Sequence, residues 1–472
     1  MSRLPGAGPV RRRAALAAGA VAVLAPVGIV GWDQLARVKQ VTAFEDAGMN
    51  FKYGGLTTGP GLPYYLFAVL PDVFPDLIPG GGRFEAFGFV DDGQELPVGF
   101  ARQVVGFQQV TPNCAMCHVA TYRVAPDSAP VVVPGAPGSV DITAFNRFLW
   151  AVVEDDRYRA SVLLPAIEAR FDPTFLERLT YRVVLLPAVR RGLRKQKRRA
   201  EWQDGRPSPG RGRIDAFSTL KYGVLDLPDD GTLGTSDMRA LWRMKGEEGH
   251  RLHWAGVSPD GRQVDYMSLY ATNLGGKRAR VDNFERVRSY LAELPPPAFP
   301  FPVDGEAAAR GEAVFGAVCA GCHVERQGEV TPLPEIRTDP ELVGVWTDDL
   351  RDALMAIREG PFDFSALERT DGYVSVRLDG LWMRAPYLHN GSVPTLRHLL
   401  EPAAARPVTF QRGSDVYDPD WMGFVWEGAL ADADRGAPYD TRLRGNGNAG
   451  HEYGVDLTPA QKRDLVEYLK TL

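Results

Sequence analysis

Apolar positions along this chain fall into several patterns, and each predicts a different kind of element. Residues 14–32 form an uncharged, mostly apolar run of 19 residues directly behind Arg11, Arg12 and Arg13. A basic flank followed by such a run reads as an export signal, and its length just suffices to cross a bilayer as a helix. The small-x-small sequence Ala20-Val21-Ala22 lies inside the run rather than after it. The segment is therefore expected to remain as an uncleaved anchor, with the body outside the cytoplasm. Residues 64–70 are unbroken apolar, which predicts a buried helix, with a membrane-facing patch as the alternative. The stretch 131–138 reads as a strand entering a turn.

Residues 141–199 carry helical spacing, with Phe145, Phe148, Leu149 and Val152 on one stripe and Leu176, Leu179 and Val183 on another. The region ends in RRGLRKQKRR at 190–199. Such a run is expected to be a solvated helix end, with docking to an acidic redox partner or anionic lipid as the other reading. Residues 295–302, PPPAFPFP, exclude helix and sheet interior and predict an extended linker. Beyond it, a helix over 305–318 runs into Cys319, bearing Ala309, Phe315 and Val318. The last helix starts at Thr458 as cap, with Pro459 in its first turn and Gln461 completing a capping box. Leu465, Val466, Leu469 and Leu472 form its apolar stripe.

Composition adds little to class but something to texture. Hydrophobic residues make up 44% and charged residues 24%, which is ordinary for a globular protein. A net charge of −5 gives no reason to expect nucleic acid. The 50 glycines and 37 prolines predict much loop around a modest helical frame.

The chemistry lies in the cysteines. There are four among 472 residues, and all fall in the pattern C-x-x-C-H. One copy is Cys114-Ala115-Met116-Cys117-His118 and the other Cys319-Ala320-Gly321-Cys322-His323. This is the attachment pattern of a c-type haem. The two thiols add across the porphyrin vinyl groups, and the adjoining histidine supplies the proximal ligand to iron. A redox dithiol needs no histidine in that place, and a zinc site would gather all four cysteines. Two covalently bound haem c groups are therefore expected, leaving no cysteine for a disulfide. The expected fold is mainly α, with two cytochrome c-like haem domains, long loops and the N-terminal transmembrane or signal segment. Its expected parts are the export signal or anchor (1–40), an N-terminal haem domain (41–294), the Pro-rich linker (295–303) and a C-terminal cytochrome c-like domain (304–472).

Of seven histidines, two are proximal, which leaves His250, His253, His389, His398 and His451 for the opposite faces. Residues 384–396, RAPYLHNGSVPTL, resemble the A-P-Y-x-H-x-G-S-x-x-T-L signature of bacterial dihaem cytochrome c peroxidases. Residues 445–454, GNGNAGHEYG, resemble the G-N-x-N-A-G-H-E segment of the dihaem rubber oxygenase branch. With 212–217, GRIDAF, the resemblance extends over about 52–472 and is strongest in the last domain. It implies that His451 is the distal ligand of the second haem, closing that iron with His323; Met383 or Met422 would take its place in a His/Met site. It implies that His389 is a hydrogen-bonding group beside a haem. For the first haem it implies His118 below the iron and an open or weakly occupied distal side. Glu248, His250 and His253 are the candidates for lining that side and moving a proton there. Trp242, Leu252 and Trp254 are candidates for an apolar pocket.

The expected function is an exported dihaem c-type oxidoreductase. One haem relays electrons and the other meets peroxide or dioxygen, as in the cytochrome c peroxidases or rubber oxygenases. Its expected partners are a redox protein or quinol-linked electron donor and, through the N-terminal helix, the inner membrane facing the periplasm. The alternatives are a non-catalytic periplasmic electron-transfer cytochrome, with both irons six-coordinate, and a haem-based sensing or docking subunit of a respiratory complex.

Overall fold

The structure, a computed structural model, describes residues 39–247, 249–273, 275–433 and 436–472. The apolar run 14–32 lies outside the described residues. Among the described residues, no helix is long and apolar enough to cross a membrane.

The expectation of a mainly α fold is corrected: helices make up 43% and strands 14%, the strands spread over many small sheets. The physical reason is strand length. Strands run from two residues, as in Lys39–Gln40, to six, as in Phe100–Val105. Most are too short to display an alternating apolar pattern, and the abundant glycines and prolines turn the chain before they lengthen.

A four-stranded antiparallel sheet begins the fold, in the order Lys39–Gln40, Phe100–Val105, Phe107–Pro112, Leu62–Pro63. Its central hairpin turns at Gly106, where φ is 76°. The helix Tyr64–Val73 follows the edge strand and is buried from Leu66 to Pro71. The 64–70 run is therefore a buried helix, as its apolar pattern predicts. Beside it the helix Ile142–Glu154, capped by Asp141 on the Ala144 amide, buries Phe145, Phe148, Leu149 and Val152. These rings join Phe67, Phe84, Phe87, Phe89 and Phe100 in one aromatic core. Edge-to-face contacts such as Phe89–Phe145, 4.9 Å between centroids, give it a defined packing.

Two further cores draw on both sides of the Pro-rich segment. One combines Phe217, Leu252 and the helices Gly261–Thr272 and Val281–Glu293 with Trp346, Leu350 and Phe362. The other combines Ala120, Val133 and Trp242 with Trp382, Tyr387 and Leu465. The Pro-rich segment is extended and held down, its Pro297 carbonyl accepting from Trp382 Nε1 at 2.9 Å. The predicted helix appears at Gly305–Val318, and it packs on the closing helix Pro459–Leu469. Thr458 and Gln461 form the reciprocal capping box.

The two helices meet at Gly311, where any Cβ would overlap the carbonyl oxygen of Asp464. Gly316, on the same helix, has open space around it. Gly311→Ala should therefore lower stability by about 2 kcal/mol through overpacking. Gly316→Ala should raise it by about 0.5–1 kcal/mol through helix propensity. Urea unfolding midpoints of the two variants check the contrast.

Candidate haem sites

The first motif hangs from the hairpin. Strand Phe107–Pro112 ends at Asn113, whose side chain accepts from the Ala115 amide and caps the turn Cys114–Met116. Asn113 Nδ2 donates to the carbonyls of Lys52 and Gly54 at 3.1 and 3.0 Å. Gly99, at φ 92°, lies so close that a Cβ would overlap the Met116 backbone. Only glycine lets the hairpin base and the motif pack this tightly. The amides of Cys117 and His118 both donate to the Cys114 carbonyl at 3.2 Å. His118 Nδ1 lies 2.9 Å from the Arg239 carbonyl oxygen. A carbonyl only accepts, so Nδ1 carries the proton and Nε2 keeps its lone pair for a metal. Desolvation, aided by the charge of Arg239, takes this imidazole down to about 4.

The second motif repeats the device on a helix end. Cys319 closes the helix Gly305–Val318, and the next turn, Gly321–Glu325, carries Cys322 and His323. His323 Nδ1 lies 2.9 Å from the Val376 carbonyl oxygen, again leaving Nε2 free. Across a cavity stands His451, with 6.2 Å between the two ring centroids. An iron bound to both imidazoles at about 2 Å from each nitrogen would set their centres about 6 Å apart. Cys319, Cys322 and apolar side chains such as Leu381, Leu396 and Leu469 wall the same cavity, and Arg384 brings a cation suited to a propionate. The residues present fit a haem c.

Desolvation pushes the thiols of Cys114 and Cys117 up to about 12 and that of Cys319 up to about 11. A redox dithiol needs the opposite shift, because the thiolate is its nucleophile. The two cysteine pairs lie in separate cores, Cys114 against the one around Phe217, Cys117 against the aromatic one around Phe145, and Cys319 against the one around Trp382. That separation is not the arrangement of one four-cysteine zinc site.

The loop that presents His451 is built residue by residue for that purpose. Gly450, at φ 74°, passes over the Ile336–Arg337 backbone where a Cβ would clash. The His451 amide donates to the Ile336 carbonyl at 2.8 Å. Arg406, only 3% exposed, donates from Nη1 to the carbonyls of Asn448 and Gly450 at 2.6 and 2.8 Å. Its Nη2 reaches the carbonyl of His451 at 3.3 Å. Asn390 Nδ2 donates to the carbonyls of Gly445 and Gly447 at 3.2 and 2.9 Å. His451 itself has φ 47°, and its Nδ1 is buried without a partner. Desolvation and the neighbouring His323 hold it near 3.

His389 lines the second cavity, stacked on Tyr373 at 3.9 Å. His398 is tied to Thr395 Oγ1 at 2.7 Å and stacked on Trp421. Met383 and Met422 are buried in the last core and do not line the cavity.

The candidates for the first site separate. His253 has φ 65° and a buried Nδ1 without a partner, the two features that mark His451. Its ring lies 4.7 Å from Phe217, and desolvation with the charge of Arg239 holds it near 4. Arg239 thus acts on both His118 and His253. His250 instead packs against Gly328, in the loop behind the second motif. Glu248 lies outside the described residues. Trp242 Nε1 donates to Pro134 at 2.9 Å, beside Gly135, whose amide donates to the His118 carbonyl at 2.8 Å. Leu252 belongs to the core that contains Ala115. Trp254, next in the chain to His253, lines the second cavity and donates from Nε1 to the Asp237 carbonyl at 2.9 Å.

Sequence reasoning missed Arg406 and the buried partners Asp237 and Arg412. Arg406 sits in a plain Ala-Arg-Pro context with no pattern to reveal it. Asp237 and Arg412 are 175 positions apart.

A family model described as RoxA-like, cytochrome c-like matches residues 372–411, which include the RAPYLHNGSVPTL stretch. The match supports a link to the cytochrome c family and implies haem c. Two proteins of Sinorhizobium fredii (strain NBRC 101917 / NGR234) are similar. Uncharacterized protein y4iM is 34% identical over 243 residues, covering 42% of this chain and 56% of its own. Uncharacterized protein y4iJ is 25% identical over 512 residues, covering 82% of this chain and 84% of its own. The chain thus spans little more than half the length of the first of these relatives and most of the second.

Replacing Arg406 by Met should leave the carbonyls around His451 without their donor. The expected loss is about 3 kcal/mol, since several buried acceptors lose a charged partner together. Arg406→Lys should recover only part of it, because an ammonium lacks the planar fork of donors that spans these carbonyls. Urea unfolding of both variants measures the difference.

Proposed function

We propose that this chain is a dihaem c-type oxidoreductase whose two irons have unequal faces. The supporting observation is an asymmetry. His451 stands opposite His323 at the spacing of a bis-histidine iron, whereas among the described residues no imidazole ring faces His118 in that way. Cys319, Cys322, His323 and His451 would hold the second haem with both axial positions filled, and there it would supply electron transfer. Cys114, Cys117 and His118 would hold the first and leave its other face to peroxide or dioxygen. A haem supplies the one-electron chemistry with such oxidants when its sixth position is open.

The residues of this chain then do the following. Arg239 holds His118 by its carbonyl and keeps the ring oriented. Phe217 and Leu252 form apolar walls near His253 that exclude water. His253, neutral at physiological pH, accepts a proton at its unpartnered nitrogen. Trp254, next to His253 in the chain, packs against the core that contains Ala115 and also lines the cavity of the second site, so it offers an aromatic route between them. The electron donor is a redox protein or a quinol-linked carrier. The body faces the periplasm, anchored in the inner membrane by residues 14–32.

A second reading has its own observation. His253 has the same left-handed backbone and unpartnered nitrogen as His451, and as a sixth ligand it would close the first iron too. The protein would then be an electron carrier without a substrate.

Spectra of the purified protein separate these readings. The proposal expects two haems per chain, one high-spin and open to cyanide or carbon monoxide. Replacing Cys114 and Cys117 by Ser, or Cys319 and Cys322, should each halve the haem retained after denaturing electrophoresis. His451→Ala should add a second high-spin signal and leave the first unchanged. Two low-spin haems that bind no added ligand in either oxidation state would leave the electron carrier standing. Membrane fractions washed with high salt should retain the protein; a soluble form beginning after residue 32 would show that the segment is cleaved.

A further inference from the structure

One helical rod carries a surface that neither haem site uses. It runs without a break through Phe175–Thr180, a wider π turn at Tyr181–Leu185, and Leu186–Arg199. Thr174 and Glu177 form a reciprocal capping box that fixes its start. Tyr181, Leu185 and Leu186 face inward and join the aromatic core. The sequence pattern of Leu176, Leu179 and Val183 predicts a helix, and a helix is there, but this stripe points outward. Phe175 is 73% exposed, Leu176 70%, Leu179 44% and Val183 58%. Their spacing puts them on one side of the rod.

The basic run continues the same rod. Arg194 pairs with Glu154 at 2.9 Å and Arg199 with Asp226 at 3.3 Å, while Arg190 donates to the Tyr158 carbonyl. Arg182, Arg191, Lys195 and Arg198 are exposed and make no ion pair among the described residues, and Lys197, also exposed, acts on Glu154 only at a distance. An exposed apolar stripe and a block of cations on one rod demand two things of a partner. It must be negatively charged at its surface and apolar a few ångströms beneath.

We propose that the outer face of the helix over 175–199 docks on an anionic lipid surface. Phe175, Leu176, Leu179 and Val183 enter the boundary between headgroups and acyl chains, and the cations lie at the phosphate level. The helix packs on the aromatic core beside the sheet with which the described chain begins. Tyr181 stacks on Tyr65 at 5.7 Å, and Tyr65 follows the edge strand of the sheet that contains Lys39–Gln40. With an anchor at 14–32, this second attachment would restrict how the body and its first haem motif rotate over the membrane.

The full haem-loaded chain tests this in phosphatidylcholine vesicles with and without phosphatidylglycerol. Acetylation at Lys195 and Lys197, followed by mass spectrometry, reports whether the rod is covered; Lys245 and Lys277 serve as references. Acetylation of the two rod lysines should slow about tenfold with phosphatidylglycerol and recover at high salt. Changing Phe175, Leu176, Leu179 and Val183 together to Ser should abolish the slowing without unfolding, because these side chains are already exposed. An apolar anchor would seat in both kinds of vesicle, so the difference between them reports the rod alone. Equal acetylation in both vesicles would overturn the proposal. Slowing that survives the serine changes would also overturn it, as adsorption by charge alone. Slowing in detergent that grows with protein concentration would point to a second copy of this chain instead.

Discussion

A carboxylate and two guanidiniums buried together tie down the segments on which both candidate sites rest. Asp237 contacts Arg412 with side chains 3% and 8% exposed, and Arg213 lies beside them at 3%. Burial pushes the Asp237 carboxyl upward, and the two arginines oppose that push and keep it ionised. Such a group adds little net stability over an apolar equivalent, but losing one partner costs about 3–5 kcal/mol. What it provides is position. Arg412 donates to the carbonyls of Gly212 and Gly391 at 3.2 and 3.3 Å. Arg213 donates to Asn446 Oδ1 at 2.7 Å and to Tyr439 Oη at 3.1 Å. The three segments that stand out in the sequence, around 212–217, 384–396 and 445–454, therefore converge on one charged point.

From that point the constraint spreads to the segments that carry His451 and His253. Asn446, held by Arg213, is in the loop that carries His451, and Asn390 pins the same loop through Gly445 and Gly447. On the other side the Asp237 carbonyl receives Trp254 Nε1, which fixes the segment carrying His253. Both histidines have a positive φ, which costs a non-glycine residue about 1–3 kcal/mol. Such strain persists only where surrounding bonds over-determine the backbone. For His451 they are visible in Arg406 and the Ile336 carbonyl. The two-stranded ladder of Arg213–Asp215 with Thr235–Asp237 is thus a common mount for both segments.

Legibility in the sequence followed the range of the physics. The haem motifs and the two helices around the second site were readable because caps, periodicity and C-x-x-C-H act over a few residues. Strands of two or three residues left no such trace, so the expected mainly α fold did not match the mixed architecture. The shared cores were equally hidden, because Trp346 packs on Phe217 from more than a hundred positions away. The 175–183 stripe shows a different limit: periodicity reports that one side is apolar, not which way it faces. His250 and His253 looked equivalent in sequence, and only the fold and the sign of φ at His253 told them apart.

The two sites have nearly the same underside, and that narrows where their difference can arise. Each proximal histidine gives its Nδ1 proton to a backbone carbonyl at 2.9 Å, to Arg239 in one site and to Val376 in the other. A carboxylate in that place would make the ring a stronger donor to iron, whereas two carbonyls make the two rings alike in basicity. On the proposed reading, inequality between two bound irons would therefore come from the opposite face. There the second site presents His451 directly across from His323. The first presents His253 against Phe217, under the charge of Arg239. A cation beside that face disfavours a further positive charge on the imidazole and keeps it neutral. A neutral imidazole with a buried free nitrogen is the form that can either receive a proton from an incoming oxidant or bind the metal itself. Which of the two occurs is decided by how far His253 can move while Trp254 stays tied to Asp237.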